Sequence, residues 1–392
     1  MRVADSGLQR PVVRSGFLGK LFCLCFLLAP ILANLNGVGK FSIGDLAVFF
    51  CLLIGVLSLR KIDIFCLLGL FSIIAQSCVS IFFYMSHYPD GIFILARMAL
   101  YISSFFIFLA LCRRPDFSAP LISGYLRLSI IFSVLLIVQV VAYHLFGVVF
   151  AYIDTPLDIQ PNSVLGLDIA TQGFRSGGLF KEPSYFATFV APAVIYTAAC
   201  KRYWLWGLFS AAIVLSTSSL GFIFIALSLI RFLSPRSLVI LLPIGLVFAS
   251  LVLSGVVPIL PDRVMETLEG GGSLSIRVVE PFTRVFIGSE NLFFPSYEAL
   301  KDLADPKIAA GIWFNSFTYS VVVYGILVLI PLLLMFLAIG VTCVPLAIIL
   351  LVTANGLTNP YFVVSIVSLS VLMLSLKPQC SKYPVSGSHE AF

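Results

Sequence analysis

From Ile308 to Leu376 the chain carries no charged residue. No water-facing surface can be built from such a stretch, because a folded domain exposes a mixed polar shell and soluble domains are about 25% charged. The whole chain follows the same trend, with 60% hydrophobic and 11% charged residues and a mean hydropathy of +1.09. Lipid is therefore the expected solvent for most of its 392 residues. A spanning helix needs about 20 predominantly apolar residues. The apolar runs predict about twelve spans, at 19–36, 42–59, 62–85, 91–112, 125–152, 184–200, 203–216, 218–232, 237–259, 313–338, 340–355 and 360–376. The expected fold class is all-α, a polytopic transmembrane helical bundle forming a single integral membrane domain over 1–392.

Basic residues fix the expected orientation. Arg60-Lys61, Arg113-Arg114, Lys201-Arg202, Arg231 with Arg236, and Lys377 with Lys382 fall at every second junction. With Arg2, Arg10, Arg14 and Lys20 they place 14 Lys and Arg on one side. Positive charge prefers the cytoplasm, so both termini are expected there. Three spans between Ile308 and Leu376 are then required to return the tail to that side. The basic N-terminus before the apolar run from Leu21 reads as a signal anchor, since further spans follow at once and no small-x-small cleavage site precedes a soluble region. The tail, 377–392, is expected to be a disordered cytoplasmic segment.

This pattern excludes several classes. The net charge of +6 is spread in pairs between apolar runs, which argues against nucleic acid as a partner. The cysteines lie in or beside apolar runs and neither long outer loop has one, so a disulfide framework is not expected. Cys23 and Cys25 read as small apolar fillers. No constellation suggests a bound metal, no nucleotide-binding loop appears and no cofactor is expected. No heptad seam or clear internal repeat appears, which disfavours transporters built from repeated halves.

Two extracytoplasmic loops remain, about 153–183 and 260–312. The longer has five basic residues (Arg263, Arg277, Arg284, Lys301, Lys307) against eight acids, and most of these charges fit a solvated surface. A short helix from Ser296 to Ala304 is possible within it. The shorter loop ends Arg175-Ser-Gly177-Gly178-Leu-Phe-Lys181-Glu182-Pro183-Ser184. Proline at a first helical position is a start signal. A helix N-terminus offers free N–H groups and partial positive charge. With Gly177 and Gly178 permitting close backbone approach, and Arg175 and Lys181 adding charge, the stretch suits a phosphate or pyrophosphate. A Gly-rich turn leading into a capped helix, with Glu182 on the dipole, accounts for the same residues, and both readings stay open.

At these residues the chain resembles a known family. Arg175-Ser-Gly-Gly-Leu-Phe-Lys-Glu-Pro-Ser184 is similar to the R-x-x-G-x-x-x-E-P-S motif of Wzy-type O-antigen and exopolysaccharide polymerases, which are related to O-antigen ligases. Ser216-Thr-Ser-Ser-Leu-Gly221, then Gly272-Ser-Leu-Ser-Ile-Arg277, then Asn315-Ser-Phe with Tyr324-Gly325 resemble later elements of that superfamily in the same order. The matches span about 150 residues. The resemblance implies a GT-C-like bundle in the bacterial cytoplasmic (inner) membrane. It implies metal-independent transfer of a glycan from undecaprenyl pyrophosphate to a second lipid-linked oligosaccharide repeat unit at the periplasmic face. Membrane lipids and a chain-length regulator are the further partners it suggests. Ligases carry a histidine in the large outer loop, and 260–312 has none, so polymerase is preferred to ligase. A lipid-linked oligosaccharide flippase or other transporter is the alternative from another class.

Under this reading Arg175 binds the leaving pyrophosphate, with Lys181, Gly177 and Gly178 beside it and Arg277 or Arg284 assisting. Glu182 is either the base or the carboxylate that orients Arg175. Arg97, within the span 91–112, is either a second pyrophosphate contact or a side chain snorkelling to the interface. Arg127 is a topology anchor, Asn315 a helix cap, and Tyr185 and Phe186 are core or groove residues.

Overall fold

A computed structural model of the chain describes residues 16–148, 176–180, 182–232, 278–286, 292–296, 314–353 and 359–380. Every described element is helical apart from one isolated bridge between Asn36 and Ser42. The helices are α1 (Phe17–Leu32), α2 (Ile43–Ser58), α3 (Ile64–His87), α4 (Ile92–Leu111), α5 (Pro115–Phe146), α6 (Pro183–Ala199), α7 (Tyr203–Leu215), α8 (Ser219–Phe232), α9 (Glu280–Phe286), α10 (Ser316–Tyr324), α11 (Leu329–Ile339), α12 (Val344–Thr353) and α13 (Pro360–Cys380). Three of them, α3, α4 and α5, are long and apolar enough to cross a membrane, and several shorter apolar helices accompany them.

The burial pattern is the reverse of a soluble fold. Leu57, Phe71 and Phe82 are 87%, 71% and 73% exposed, while hydroxyls such as Ser104, Ser129, Ser133 and Ser368 are buried. Exposed apolar side chains over buried small polar ones suit a bundle solvated by lipid, whose helix contacts rely on small residues. The apolar helices thus mark a membrane protein.

The core is built on α6 and α13. Every residue of α6 from Phe186 to Ala198 is buried, as is every residue of α13 from Pro360 to Met373. The two run parallel, as Tyr185 stacks on Tyr361 and Ser365 Oγ donates to the Thr188 carbonyl at 2.8 Å. The second contact has a local cause. Pro192 lies inside α6 and has no N–H, so the carbonyl four residues earlier loses its helical donor. That carbonyl is Thr188's, and α13 supplies the substitute.

The same device holds a broken helix in place. The expected span 313–338 is interrupted: α10 ends at Tyr324, Gly325 takes φ +77°, and a 3-10 turn over Ile326–Val328 leads into α11. A side chain at Gly325 would strike the Phe293 carbonyl and is strained at that φ. Four of the freed groups find partners elsewhere in the chain. Ile326 N–H donates to Leu292 O at 2.7 Å, and Ser296 N–H donates to Val322 O at 2.9 Å. Tyr84 Oη donates to Val323 O at 3.2 Å, and Gln76 Nε2 to Leu327 O at 2.7 Å. Pro331, four residues after Leu327, explains the last of these. A piece of the expected outer loop, 292–296, is thereby stitched to the break, where it is not helical; the rest of the expected Ser296–Ala304 helix lies outside the described residues.

Two opposite ends of the bundle can be recognised. At one, Arg113 pairs with Asp63 at 3.1 Å and donates to Ala338 O at 3.2 Å. Arg114 donates to Ser58 O and pairs with Asp116 at 3.0 Å. These arginines close the C-termini of α11 and α2, where cations are favoured. At the other end lie Ser42, Asp45, Arg97, Tyr185 and Tyr361. Some expected boundaries shift. The helix over the expected span 125–152 begins ten residues earlier, at Pro115, because Pro is tolerated in a first turn. Helix α13 continues to Cys380, so 377–380 are helical where a disordered tail was expected. The expected span 237–259 lies outside the described residues.

Two outcomes follow from this packing. Ser365→Ala should cost about 1–2 kcal/mol in thermal unfolding, the usual penalty of an orphaned buried carbonyl. In a Pro192→Ala background, where residue 192 regains its N–H, the same substitution should cost much less. Equal costs in both backgrounds would refute the account. At Asp63 the Phe65 N–H, at 2.9 Å, and then Arg113 hold the carboxyl below the usual carboxylate range. A depressed pKa stabilises the fold above the unfolded value, and the gain disappears as pH falls through the folded one. Asp63→Asn keeps a capping oxygen but loses the charge beside Arg113 and the helix N-terminus, so it should lower stability at pH 7 by about 0.3–1 kcal/mol. Its melting curve should converge on wild type in acid.

Candidate functional site

The described residues of the expected anion motif form a folded-in turn. Phe180 N–H bonds to Gly177 O at 3.1 Å, and Gly178 sits at φ +68°, a region open to glycine. Ser176 Oγ donates to Gln139 Oε1 of α5 at 2.7 Å and accepts the Gly178 N–H at 3.1 Å. Ser176, Gly177, Gly178 and Phe180 are all buried. Phe180 is anchored among Phe132, Phe186, Phe189 and Tyr361. The close approach permitted by Gly177 is to the carbonyls of Phe180 and Glu182. Arg175 and Lys181, which bracket this turn in sequence, lie outside the described residues, as does Arg277.

The turn delivers Glu182 to the start of α6. Glu182 is the N-cap residue in extended conformation, with Pro183 at the first helical position. Its side chain does not cap the helix; instead it accepts from Ser184 Oγ at 2.9 Å. Glu182 is exposed and lies within electrostatic reach of Tyr361.

Tyr361 links Glu182 to a second group of charges. Its ring stacks on Tyr185 with centroids 4.4 Å apart. Its hydroxyl is buried and makes no hydrogen bond of ordinary geometry, with the Asn34 side chain close to it. Tyr361 is also in electrostatic reach of Tyr101, which donates to Asp45 Oδ1. Asp45 is 3% exposed and pairs with Arg97 at 3.1 Å, and its second oxygen accepts the Ser42 N–H at 2.7 Å. Arg97 Nη2 also donates to Lys40 O, and its guanidinium lies over Phe41. The Arg97 Nε–H is buried without a partner. Arg97 is thus held by a counter-ion and a carbonyl at this end of α4, and is not simply extended to an interface. Tyr319 of α10 is also in electrostatic reach of it.

The large loop is represented here by α9. Phe282 and Phe286 stack on Phe317 of α10 at 5.4 and 6.1 Å, so the exposed Arg284 rides on a helix docked at the start of α10. Asn315 caps that start, its Oδ1 accepting the Thr318 N–H at 2.9 Å, as the sequence predicts. Among the described residues no group of three His, Cys, Asp or Glu is placed to hold a metal ion.

Of the expected residues, the structure brings Glu182 and Arg97 to one end of the bundle, where Arg97 is held by Asp45 and Asp45 by Tyr101. Reading the sequence missed Asp45, Tyr101, Tyr361 and Gln139. A signal existed for Asp45: Ser42-x-x-Asp45 at the head of an apolar run is a capping box, realised here in both directions. A charge at Arg97 also demanded a partner. Nothing local in the sequence pointed to Tyr361.

Asp45→Ala should leave Arg97 uncompensated and destabilise the protein. The cost should fall below the roughly 3–5 kcal/mol of a fully buried pair, because Arg97 keeps 31% exposure. The double variant Asp45→Leu with Arg97→Met should recover, in thermal unfolding, the part of that loss due to the stranded charge, but not the part due to the Tyr101 hydroxyl and Ser42 N–H left without an acceptor; a double variant less stable than Asp45→Ala would contradict the pairing argument. No family model, curated protein or solved structure matches the chain.

Proposed function

We propose that this chain is a bacterial inner-membrane polysaccharide polymerase, a metal-independent glycosyltransferase acting at the periplasmic face. Its twelve spans would leave both termini in the cytoplasm. The observation that carries the proposal is the convergence at one end of the bundle of Glu182, the start of α6 and the Arg97–Asp45 pair. The end bearing Arg113 and Arg114 is the cytoplasmic one under the positive-inside rule, which puts the Glu182 end outside. There a glycan on undecaprenyl pyrophosphate can meet a second lipid-linked repeat unit.

In the proposed step an acceptor hydroxyl oxygen attacks the anomeric carbon of the donor glycan. The bond from that carbon to the pyrophosphate oxygen breaks, and undecaprenyl pyrophosphate departs. Arg175, with Lys181 and a contribution from Arg277 or Arg284, neutralises the charge that develops on the leaving group. Glu182 takes the hydroxyl proton or, in the structural version, orients Arg175. Arg97 contributes through Asp45 and Lys40 to the shape of the site, with its Nε–H turned to no protein group.

One observation favours a second reading. A helix broken at Gly325, with a charge pair buried nearby in the bundle, is a feature of secondary transporters. On that reading the chain would move a lipid-linked oligosaccharide across the membrane.

The glycan profile of a deletion strain separates the two. A polymerase deletion should leave single repeat units on the outer surface, whereas loss of a transporter should strand the lipid-linked unit on the cytoplasmic side. Complementation with Arg175→Ala should fail to restore long chains, with a loss of about 100-fold or more expected for one missing electrostatic contact to the leaving group. Glu182→Gln should lower polymerisation if the carboxylate is the base. Full activity of Glu182→Gln removes that role alone, while long chains from Arg175→Ala remove the core of the scheme.

A further inference from the structure

Helix α5 carries a cation at a depth where lipid offers it no partner. The helix has 32 residues and is apolar enough to cross a membrane, and it starts beside the Arg113 and Arg114 end of the bundle. An arginine close to the end of a span would be a topology anchor, the role expected of Arg127. The early start of α5 at Pro115 carries it inward instead: about 20 Å of helix separates Arg127 from Arg114. Two contacts fix the level. Cys23 Sγ donates to Pro120 O at 3.2 Å, so Pro120 is already level with the second turn of α1. Tyr125 Oη donates to Phe189 O, near the middle of the buried helix α6. An arginine side chain is shorter than two turns of helix, about 11 Å. Even leaning back toward the helix start, as helical side chains do, its guanidinium stays within the apolar layer.

Arg127 is exposed, and among the described residues no carboxylate pairs with it. The sequence holds none for it at that depth. Of the chain's 18 acids, only Asp45 and Asp63 lie inside the apolar runs, each at a helix start and each paired with another arginine. Ser123, Ile131, Val134, Val138 and Val141 are exposed on the same side of α5, at helical spacing. Helices α1, α6, α7 and α13 pack on its other faces. One stripe of α5 is thus left uncovered, apolar along most of its length, with a single cation toward one end.

A guanidinium facing hydrocarbon is costly, and an intramembrane charge marks a functional contact by default. The depth selects the occupant. A phospholipid phosphate belongs to the headgroup layer and would have to be drawn down into the apolar layer to reach Arg127. A second copy of this chain, meeting stripe to stripe, would bring Arg127 against Arg127 and supply no carboxylate at that level. A carboxylate on a spanning helix of another protein is already at the right depth. It matches the guanidinium with two parallel hydrogen bonds, and the helix bearing it can pack along the apolar stripe. We propose that this face of α5 docks a transmembrane helix of a partner protein, an apolar helix with one Asp or Glu near its middle that pairs with Arg127. The inference stands apart from the polymerase reading, and either can fail without the other.

The test uses the purified full chain in vesicles of phosphatidylcholine and phosphatidylglycerol. Its probe is a synthetic spanning peptide of leucine and alanine with one central Glu, compared with the same peptide carrying Gln. Association is read by energy transfer between labelled peptide and protein, at dilutions where the peptide alone is monomeric. The Glu peptide should associate with wild type about tenfold more strongly than the Gln peptide, as expected for one hydrogen-bonded charge pair. Arg127→Leu should lose that preference, and Arg127→Glu should transfer it to a peptide with a central Arg. Equal association of the Glu and Gln peptides with wild type, or a preference that survives Arg127→Leu, overturns the proposal. Without peptide, Arg127→Leu should melt at or above the wild-type temperature. A lower melting temperature would mean that Arg127 is paired within its own chain, which also overturns it. Phosphatidylglycerol retained by wild type and released by Arg127→Leu in native mass spectrometry, with no preference for the Glu peptide, would make the occupant a lipid phosphate and remove the partner helix.

Discussion

A backbone carbonyl or amide stripped of its helical partner inside an apolar medium has no water to turn to, and this constraint organises the bundle. The chain breaks its own helices at several points, with Pro192 in α6, Gly325 between α10 and α11, and Pro331 within α11. Each break is answered by a side chain or backbone group from elsewhere in the sequence. Ser365 serves Thr188, Gln76 serves Leu327, Tyr84 serves Val323, and the 292–296 segment serves Val322 and Ile326. Each answer also locks two distant elements in register. A position that looks like a defect in one helix is therefore the place where a second helix is fastened.

The candidate site inherits its geometry from these fastenings. The Ser365–Thr188 bond fixes α13 beside α6 one turn below the Tyr185–Tyr361 stack, so the two helix starts are brought level. Glu182 is positioned by the turn before it, which is held by Ser176 on Gln139 and by Phe180 in an aromatic cluster. On the far side, the Ser42–Asp45 capping box aims one carboxylate at both Tyr101 and Arg97. An ion pair with one partner buried and the other partly exposed contributes little net stability, because desolvation of the buried carboxylate offsets much of the attraction. Its persistence at this end of the bundle, next to an unpaired tyrosine hydroxyl, fits a role in shaping the site better than a role in stability.

Much of the fold was legible in the sequence, and its limits are physical ones. Hydropathy located the helices because lipid solvation imposes a uniform demand on every spanning residue. Pro183 marked the start of α6 and Asn315 the cap of α10, since both act through bonds within four residues. What the sequence did not reveal was any feature set by long-range pairing. Gln139 meets Ser176 across 37 residues, and Tyr84 meets Val323 across 239. The interruption at Gly325 was likewise hidden inside an unbroken apolar run, because glycine and proline are tolerated in such helices once neighbours satisfy the freed groups. Gly177 and Gly178 carried two compatible signals, and the fold realises the turn; whether that turn also presents an anion depends on Arg175 and Lys181.

The break at Gly325 bears on how the two functional readings should be weighed. In a transporter, a discontinuous helix lines the substrate path and its freed backbone groups coordinate the cargo. Here those groups are occupied: Ile326 N–H and the carbonyls of Val322, Val323 and Leu327 are bonded to the 292–296 segment and to α3. The groups that remain unpaired near the charged cluster are instead side-chain donors, Tyr361 Oη–H at the head of α13 and Arg97 Nε–H on α4. The break thus reads as the anchor that holds the large loop, and with it α9 and Arg284, against the bundle. That arrangement favours a site worked by loops over a fixed platform, which suits transfer between two lipid-linked substrates better than passage through the protein.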